Sequence, residues 1–401
     1  MVASPHESSI TGPARRRPKG ACVTTFGIEE EFQFLDPVTL RPADVAAEVF
    51  HALSDSVEWH DVTHREFLAS QVEHASAVFT TMDEARTALV GFRRFITDRA
   101  AELGVIAASV GTPPDAAPFP AITDQERYHR VVADLGGVIA DHQLTAVHVH
   151  VGIPDRESGV IALNAARPWM PLLMALAANS PIWRGYDTGY ASWRSVLLRR
   201  WTASGCPPSF IDAADYDRRI AQLVGIGGIV DIPLIAWDVR LSPHLPTIEF
   251  RMGDAQLDAE ASLLIAALCR ALVTHAIEKP EAPDAAATAS TEVPPELLSA
   301  AQLHSAHYGM TAQVFDPVIG GLAPADETLW RFIRILEREL AEAGDLDMVT
   351  DAAARLLRDG TGAQRQRAAF AQAGMSGVRH LIESTIAVDQ GRNGEPMTSN
   401  L

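Results

Sequence analysis

Carboxylates and imidazoles recur inside stretches that are otherwise apolar. Glu29 and Glu31 interrupt Thr25–Leu35, and His148 and His150 interrupt Leu144–Gly152. Glu249 and Arg251 interrupt Thr247–Gly253, Glu73 stands within Phe67–Ala75, and Glu66 precedes that stretch. One such stretch reads equally well as the solvated side of a sheet, and the two histidines alone read equally well as structural ones. Several together point to chemistry. If helices cover the face they share, three or four carboxylates crowd together, where like charges repel and unpaired buried charge is costly. A divalent cation resolves that conflict, and a set rich in oxygen with few imidazoles suits Mg²⁺ or Mn²⁺. Arg240 and Arg251 do not bind cations. Guanidinium grips phosphate or carboxylate through paired hydrogen bonds, so these two suggest an anionic ligand beside the metals.

Strand alternation decides which side chains share a face. Phe26, Ile28, Phe32 and Phe34 fall on one face, and Glu29, Glu31 and Gln33 on the other. Glu30 has the parity of the phenylalanines and reads as a paired carboxylate away from the site. Val147, Val149 and Val151 oppose His148 and His150, while Ile248, Phe250 and Met252 oppose Glu249 and Arg251. Glu73 shares a face with Gln71. Glu66 has the wrong parity and reaches that face only from the turn before the strand or through a bulge.

Around these segments the pattern predicts strands over Val23–Leu35, Val105–Val110, Leu144–Gly152, 234–241 and 247–253. Thr81-Met82-Asp83-Glu84 reads as a capping box opening a helix, with apolar Ala85, Leu89, Phe92 and Ile96 at helical spacing. Asp124 is a candidate cap for another helix, and further helices are expected over 157–179 and 259–277. The loops around 111–125 or 183–210 are the expected places for a lid. Residues 1–20 read as a tail carrying Arg15, Arg16, Arg17 and Lys19. Residues 21–277 read as a core, 278–296 as a Pro- and Ala-rich linker or surface loop, 297–390 as a helical region packing on the core, and 391–401 as a second tail. The fold class is α+β.

Composition narrows the field. The chain has 401 residues, 47% hydrophobic and 21% charged, which is enough to bury a sizeable core. Its net charge of −18 argues against nucleic acid or an anionic membrane surface as a partner. No long apolar run and no secretory h-region are seen, and the three separated cysteines suit a reducing compartment, so a cytoplasmic protein is expected. No P-loop and no dinucleotide-binding glycine motif is present, so phosphate handling would fall to metals and arginines.

The segment Thr25-Phe26-Gly27-Ile28-Glu29-Glu30-Glu31-Phe32, followed by Leu35-Asp36-Pro37, resembles the opening motif of the YbdK-like carboxylate–amine ligases, the type 2 glutamate–cysteine ligase group. Glu66 to Glu73, His148-Val149-His150-Val151-Gly152, Asn179-Ser180-Pro181 with Arg184, and Asp187 to Ser192 with Arg194 extend the likeness. Trp237-Asp238-Val239-Arg240 and Thr247-Ile248-Glu249-Phe250-Arg251 complete it. The resemblance implies a glutamine synthetase-like catalytic domain: an antiparallel sheet funnel covered by helices, with a helical C-terminal region. It implies ATP and Mg²⁺, with Mn²⁺ as an alternative, and amide synthesis from a carboxylate or amino acid and an amine through an acyl phosphate. Weak glutamate–cysteine ligase activity falls within that reading. By motif, Glu29, Glu31, Glu66, Glu73, His150 and Glu249 are the implied metal ligands, since only one histidine of the His148 and His150 pair need face a metal. Arg240 and Arg251 are the phosphate-stabilising arginines, with Glu249 catalytic between metals. Asp187, Ser192 and Arg194 are candidate substrate contacts or, equally, members of a packed loop with its own salt bridge. A homo-oligomer stays open. A metal-dependent amide hydrolase and a non-catalytic nucleotide or amino-acid sensor are the rival readings, and Arg240 and Arg251 have no evident task in the hydrolase.

Overall fold

The computed structural model describes residues 24–229, 232–278 and 293–388. The expected tails at 1–20 and 391–401, and the expected linker apart from Glu278 and residues 293–296, lie outside the described residues. The main sheet has seven strands: β1 (Phe26–Leu35), β2 (Thr63–Arg65), β3 (Gln71–Ala75), β4 (Ile106–Ala108), β5 (Ala146–Gly152), β6 (Val239–Leu241) and β7 (Thr247–Asp254). Their order is β6-β7-β5-β1-β3-β2, with β4 on β1, and every pairing is antiparallel.

The predicted alternation holds. Phe26, Ile28, Phe32, Phe34, Val147, Val149, Val151, Ile248 and Phe250 are all buried. Helices Met82–Glu102, Arg156–Ala166 and Ala259–Glu278 supply much of what they pack against. Removing this much apolar surface from water is the main term holding sheet to helices. Glu30 points into the same layer and is matched there. Arg93 donates to both of its carboxylate oxygens, at 3.0 and 2.6 Å, and Ser262 Oγ donates at 2.6 Å.

Several boundaries differ from expectation for local reasons. The Thr81–Glu84 capping box forms as predicted. The helix expected from Asp124 begins instead at Glu126 with no side-chain cap, and the Asp124 carboxylate meets His129 Nε2 at 2.9 Å. The helix expected over 157–179 breaks into Arg156–Ala166, a 3₁₀ turn Arg167–Trp169 and Met170–Leu176, because Pro168 lacks the amide needed to continue. That run and Ala259–Glu278 are long and apolar enough to cross a membrane, yet 83% and 78% of their apolar windows are buried within the fold. The C-terminal region is not wholly helical, since a hairpin, Gln313–Asp316 with Gly321–Pro324, follows helix Pro295–Tyr308. Helix Gly362–Thr385 kinks at Ala373 and Gly374, where Gly374 takes a φ of +60°.

Candidate active site

The polar face of the sheet forms the floor of a cleft of about 400 Å³. Register places the chemistry in cross-strand rows. Glu31 lies opposite Glu73, Glu29 opposite His148, and Glu249 opposite both His150 and Arg240. Glu66 arrives from the turn between β2 and β3, one of the two routes its parity allowed. Nine sequence-nominated residues line this cleft: Glu29, Glu31, Glu66, Glu73, His150, Arg194, Arg240, Glu249 and Arg251.

Two groups of possible cation ligands stand side by side. Oxygens of Glu31, Glu66 and Glu73 fall within 4.8 Å of one another, as do donor atoms of Glu29, His148 and Glu249. The second group contains His148, where the motif reading preferred His150. His148 Nδ1 meets Glu29 Oε2 at 2.9 Å, so a hydrogen on Nδ1 leaves Nε2 as a buried lone pair with no hydrogen-bond partner among the described residues. Burial and the nearby Arg251 push His148 down to about 4, which keeps the imidazole neutral at physiological pH. A neutral imidazole with an unused lone pair is what a metal ion requires. His150 likewise has its Nδ1 engaged, 2.9 Å from Thr247 Oγ1, and its Nε2 without a hydrogen-bond partner among the described residues, though that nitrogen stands 3.0 Å from Glu29 Oε1. Burial works against its charge, but the Glu29 carboxylate outweighs this and raises it.

The carboxylates are unequal. Burial and then Glu66 push Glu31 up to about 8, against the pull of Arg194 and Arg251. Burial, with Glu29 and Glu66, holds Glu73 well above the usual range. Burial opposes charge on Glu29 too, but His148 and His150 carry it well below that range. Glu249 is likewise lowered despite burial, by Arg251 and then Arg240. A crowd of acids that cannot all ionise fits cation binding, because a divalent ion would replace the protons they retain.

The arginines are fixed before any ligand arrives. Arg240 donates to Glu249 at 2.7 and 3.2 Å and to the carbonyls of Pro233 and Ile235 at 2.9 Å each. Arg251 also pairs with Glu249. Arg194 is buried, yet its Nε has no hydrogen-bond partner among the described residues.

Two candidate substrate contacts stand elsewhere. Asp187 lies in a small surface hairpin and pairs with Arg367 at 3.0 Å. Ser192 caps helix Trp193–Leu198, and its Oγ donates to Asp254 at 2.8 Å. Both take the packed-loop alternative. Of the two expected lid segments, 183–210 contributes Arg194, Leu198 and Trp201 to the cleft wall, and no residue of 111–125 lines it. Sequence reading did not nominate the ring wall of Phe67, Tyr128, His142 and Trp201. Only Phe67 carried a signal, by following Glu66; the other three come from separate segments that no spacing connects.

The family model for glutamate–cysteine ligase family 2 matches residues 25–384. A putative glutamate–cysteine ligase 2-2 of Saccharopolyspora erythraea is 38% identical over 377 residues, covering 94% of this chain and 95% of that one. A putative glutamate–cysteine ligase 2 of Salinispora tropica is 38% identical over 343 residues, covering 86% and 89%. Among solved structures, a bifunctional glutathione synthetase from Pasteurella multocida superposes with a TM-score of 0.64 at 14% identity, over 91% of this chain and 52% of that one. The chain thus spans about half the length of that enzyme. A glutamate–cysteine ligase from Francisella tularensis, solved with AMP, gives 0.61 at 12% identity over 92% and 89%. These two share the fold.

Proposed function

The chain belongs to glutamate–cysteine ligase family 2 and is an ATP-dependent carbon–nitrogen ligase; from that premise we propose that it joins a small carboxylic acid to an amine through an acyl phosphate made in the cleft described above. The observation that carries this reading is the meeting of two acid clusters with two pre-oriented arginines on one sheet face. A carboxylate is a poor electrophile, and phosphorylation gives its acyl carbon a good leaving group.

Glu29, His148 and Glu249 would hold one Mg²⁺ or Mn²⁺, and Glu31, Glu66 and Glu73 a second, with His150 orienting Glu29 from its other side. The ions, when bound, neutralise phosphate charge and align ATP with the acid. Arg240 and Arg251 stabilise the charge on the transferring phosphoryl group. Their shared anchor on Glu249, with the Pro233 and Ile235 carbonyls behind Arg240, means little reorganisation is needed as that charge develops. Arg194 offers its unpartnered Nε to the carboxylate of the acid. The ring wall around Trp201 shields the acyl phosphate from water. We assign this machinery to residues 21–277, braced by 297–390. Helix Pro295–Tyr308 supports that assignment, because the carbonyls of His307 and Ala306 accept from the amides of Ala191 and Ser192 at 3.1 and 2.9 Å.

The test is a matrix of acids and amines, glutamate with cysteine among them, incubated with ATP and Mg²⁺. Phosphate release is followed, and products are identified by mass spectrometry. The expected result is ADP, phosphate and an amide adduct, formed only when acid, amine, nucleotide and metal are all present. AMP with pyrophosphate would overturn the acyl-phosphate step. Amide cleavage without ATP would favour the hydrolase, and tight ATP binding without turnover across the matrix would favour the sensor.

A further inference from the structure

Strand β7 does not run regularly. Glu249 pairs with His150 and Phe250 with Val149, but the next partners are Gly253 with Val147 and Asp254 with Ala146. One extra residue is therefore inserted around Arg251 and Met252, a β-bulge. Regular alternation would put Asp254 with Ile248, Phe250 and Met252 on the apolar face. The bulge moves it to the polar face, opposite Ala146, whose amide donates to Glu31 Oε2 at 2.7 Å.

There Asp254 is buried and gathers one loop. Its Oδ2 accepts from the Asn179 amide at 2.8 Å and from Ser180 Oγ at 2.7 Å, and its Oδ1 accepts from Ser192 Oγ at 2.8 Å. Ser192 caps helix Trp193–Leu198, and Ser180 Oγ accepts the Arg194 amide at 3.0 Å. The first turn of that helix, which bears Arg194, is thus pinned from two sides by one carboxylate. Arg194 Nη1 lies 3.9 Å from Asp254 Oδ1, and Nη2 donates to the Arg251 carbonyl at 3.2 Å, at the bulge itself. No space is left on the far side, since a Cβ on Gly111 would come within 2.6 Å of Asp254 Cγ.

We propose that Asp254 is the positioning residue for Arg194: it ties the Arg194-bearing helix turn to the bulged end of the catalytic strand and so aims the guanidinium at the carboxylate of the acid substrate. This rests on the ligase reading and on Arg194 as the carboxylate anchor. Asp254 touches no reacting atom, so its effect passes through Arg194 and falls on binding of the acid.

The experiment is a double-variant cycle on the full chain with the acid–amine pair found by the matrix. Kinetics of D254N, R194Q and the double variant are measured, together with backbone amide exchange in the ligand-free proteins. D254N is expected to raise KM for the acid more than tenfold, with a smaller fall in kcat and no change in KM for ATP. The double variant should be no worse than R194Q, because both changes remove one interaction. Exchange over residues 191–198 should quicken at least tenfold in D254N. Additive effects, an unchanged acid KM in D254N, or unchanged exchange would each overturn the proposal. If D254N does not fold, S192A decides: it removes one of the three hydrogen bonds to Asp254 and should raise acid KM three- to tenfold, and no change overturns the proposal. The two readings fail differently. An acid KM indifferent to R194Q removes Arg194 as the anchor, whereas a response to R194Q but not to D254N removes only Asp254.

Discussion

Glu29, Glu30 and Glu31 are consecutive, share one strand and meet opposite fates. Glu30 enters the helix-covered layer, where Arg93 and Ser262 satisfy it and Arg93 spends its remaining hydrogens on the carbonyls of Gln256, Leu257 and Ile386. Its two neighbours enter the cleft. Glu29 shares two histidines, while Glu31 is crowded by Glu66 and pushed up to about 8. The buried charge that serves the fold comes with its own counter-charge. Glu31 and Glu73 in the cleft are left short of positive charge, a deficit a bound cation would fill.

That contrast can be attacked from both sides. The largest effect is expected in the cleft: Glu249→Gln should cut ATP-dependent phosphate release at least about a thousandfold, comparable to removing a principal transition-state stabiliser, with the circular dichroism spectrum unchanged. Near-normal turnover would take Glu249 out of the machinery. Next comes the core: Glu30→Ala should cost about 3–5 kcal/mol in urea unfolding, because it strands Arg93 in the interior. A loss below about 1 kcal/mol would erase the distinction between the two regions.

The third prediction concerns pH. In cation-free protein the Glu31 pKa lies above its unfolded value, so the folded state retains a proton that the unfolded state has released, and stability falls as pH rises. Raised Glu73 and His150 act in the same direction. His148 and His142, each lowered to about 4, work the opposite way only below their unfolded value. The clean window is therefore pH 6.5 to 8, where Glu31 alone should cost about 2 kcal/mol. Calorimetry with a chelator should show this slope and added Mg²⁺ should flatten it; a slope unaffected by Mg²⁺ would break the link between crowding and cation binding. The smallest effect is expected at Asp187→Asn, which removes an exposed pair with Arg367 and should alter stability by less than about 1 kcal/mol and turnover less than twofold.

Much of this was legible in the chain. Alternation separated Glu30 from Glu29 and Glu31, grouped the valines against His148 and His150, and showed that Glu66 had to come from a turn or through a bulge. Nine of the site residues implied by the family motifs line the cleft. The rest was not legible because it depended on a distant partner. Ser192, which the family motif offered as a substrate contact or a member of a packed loop, turns its hydroxyl to Asp254. His148 and His150 have the same parity, and their different hydrogen bonds to Glu29 and Thr247 separate them only once β5 lies between β1 and β7.

The sequence by itself determined the two faces of each strand, because successive side chains must point to opposite sides of an extended backbone whatever lies beside it. It also determined which side chains were available to bind cations and phosphate. Only the tertiary structure decided which rows those side chains would form and where alternation would be broken. Register and the bulge in β7 are set by hydrogen bonds to strands about a hundred residues away in sequence, and their side-chain consequences are invisible until those strands pair. That is why Asp254, apolar-facing by count, ends beneath the Arg194 helix.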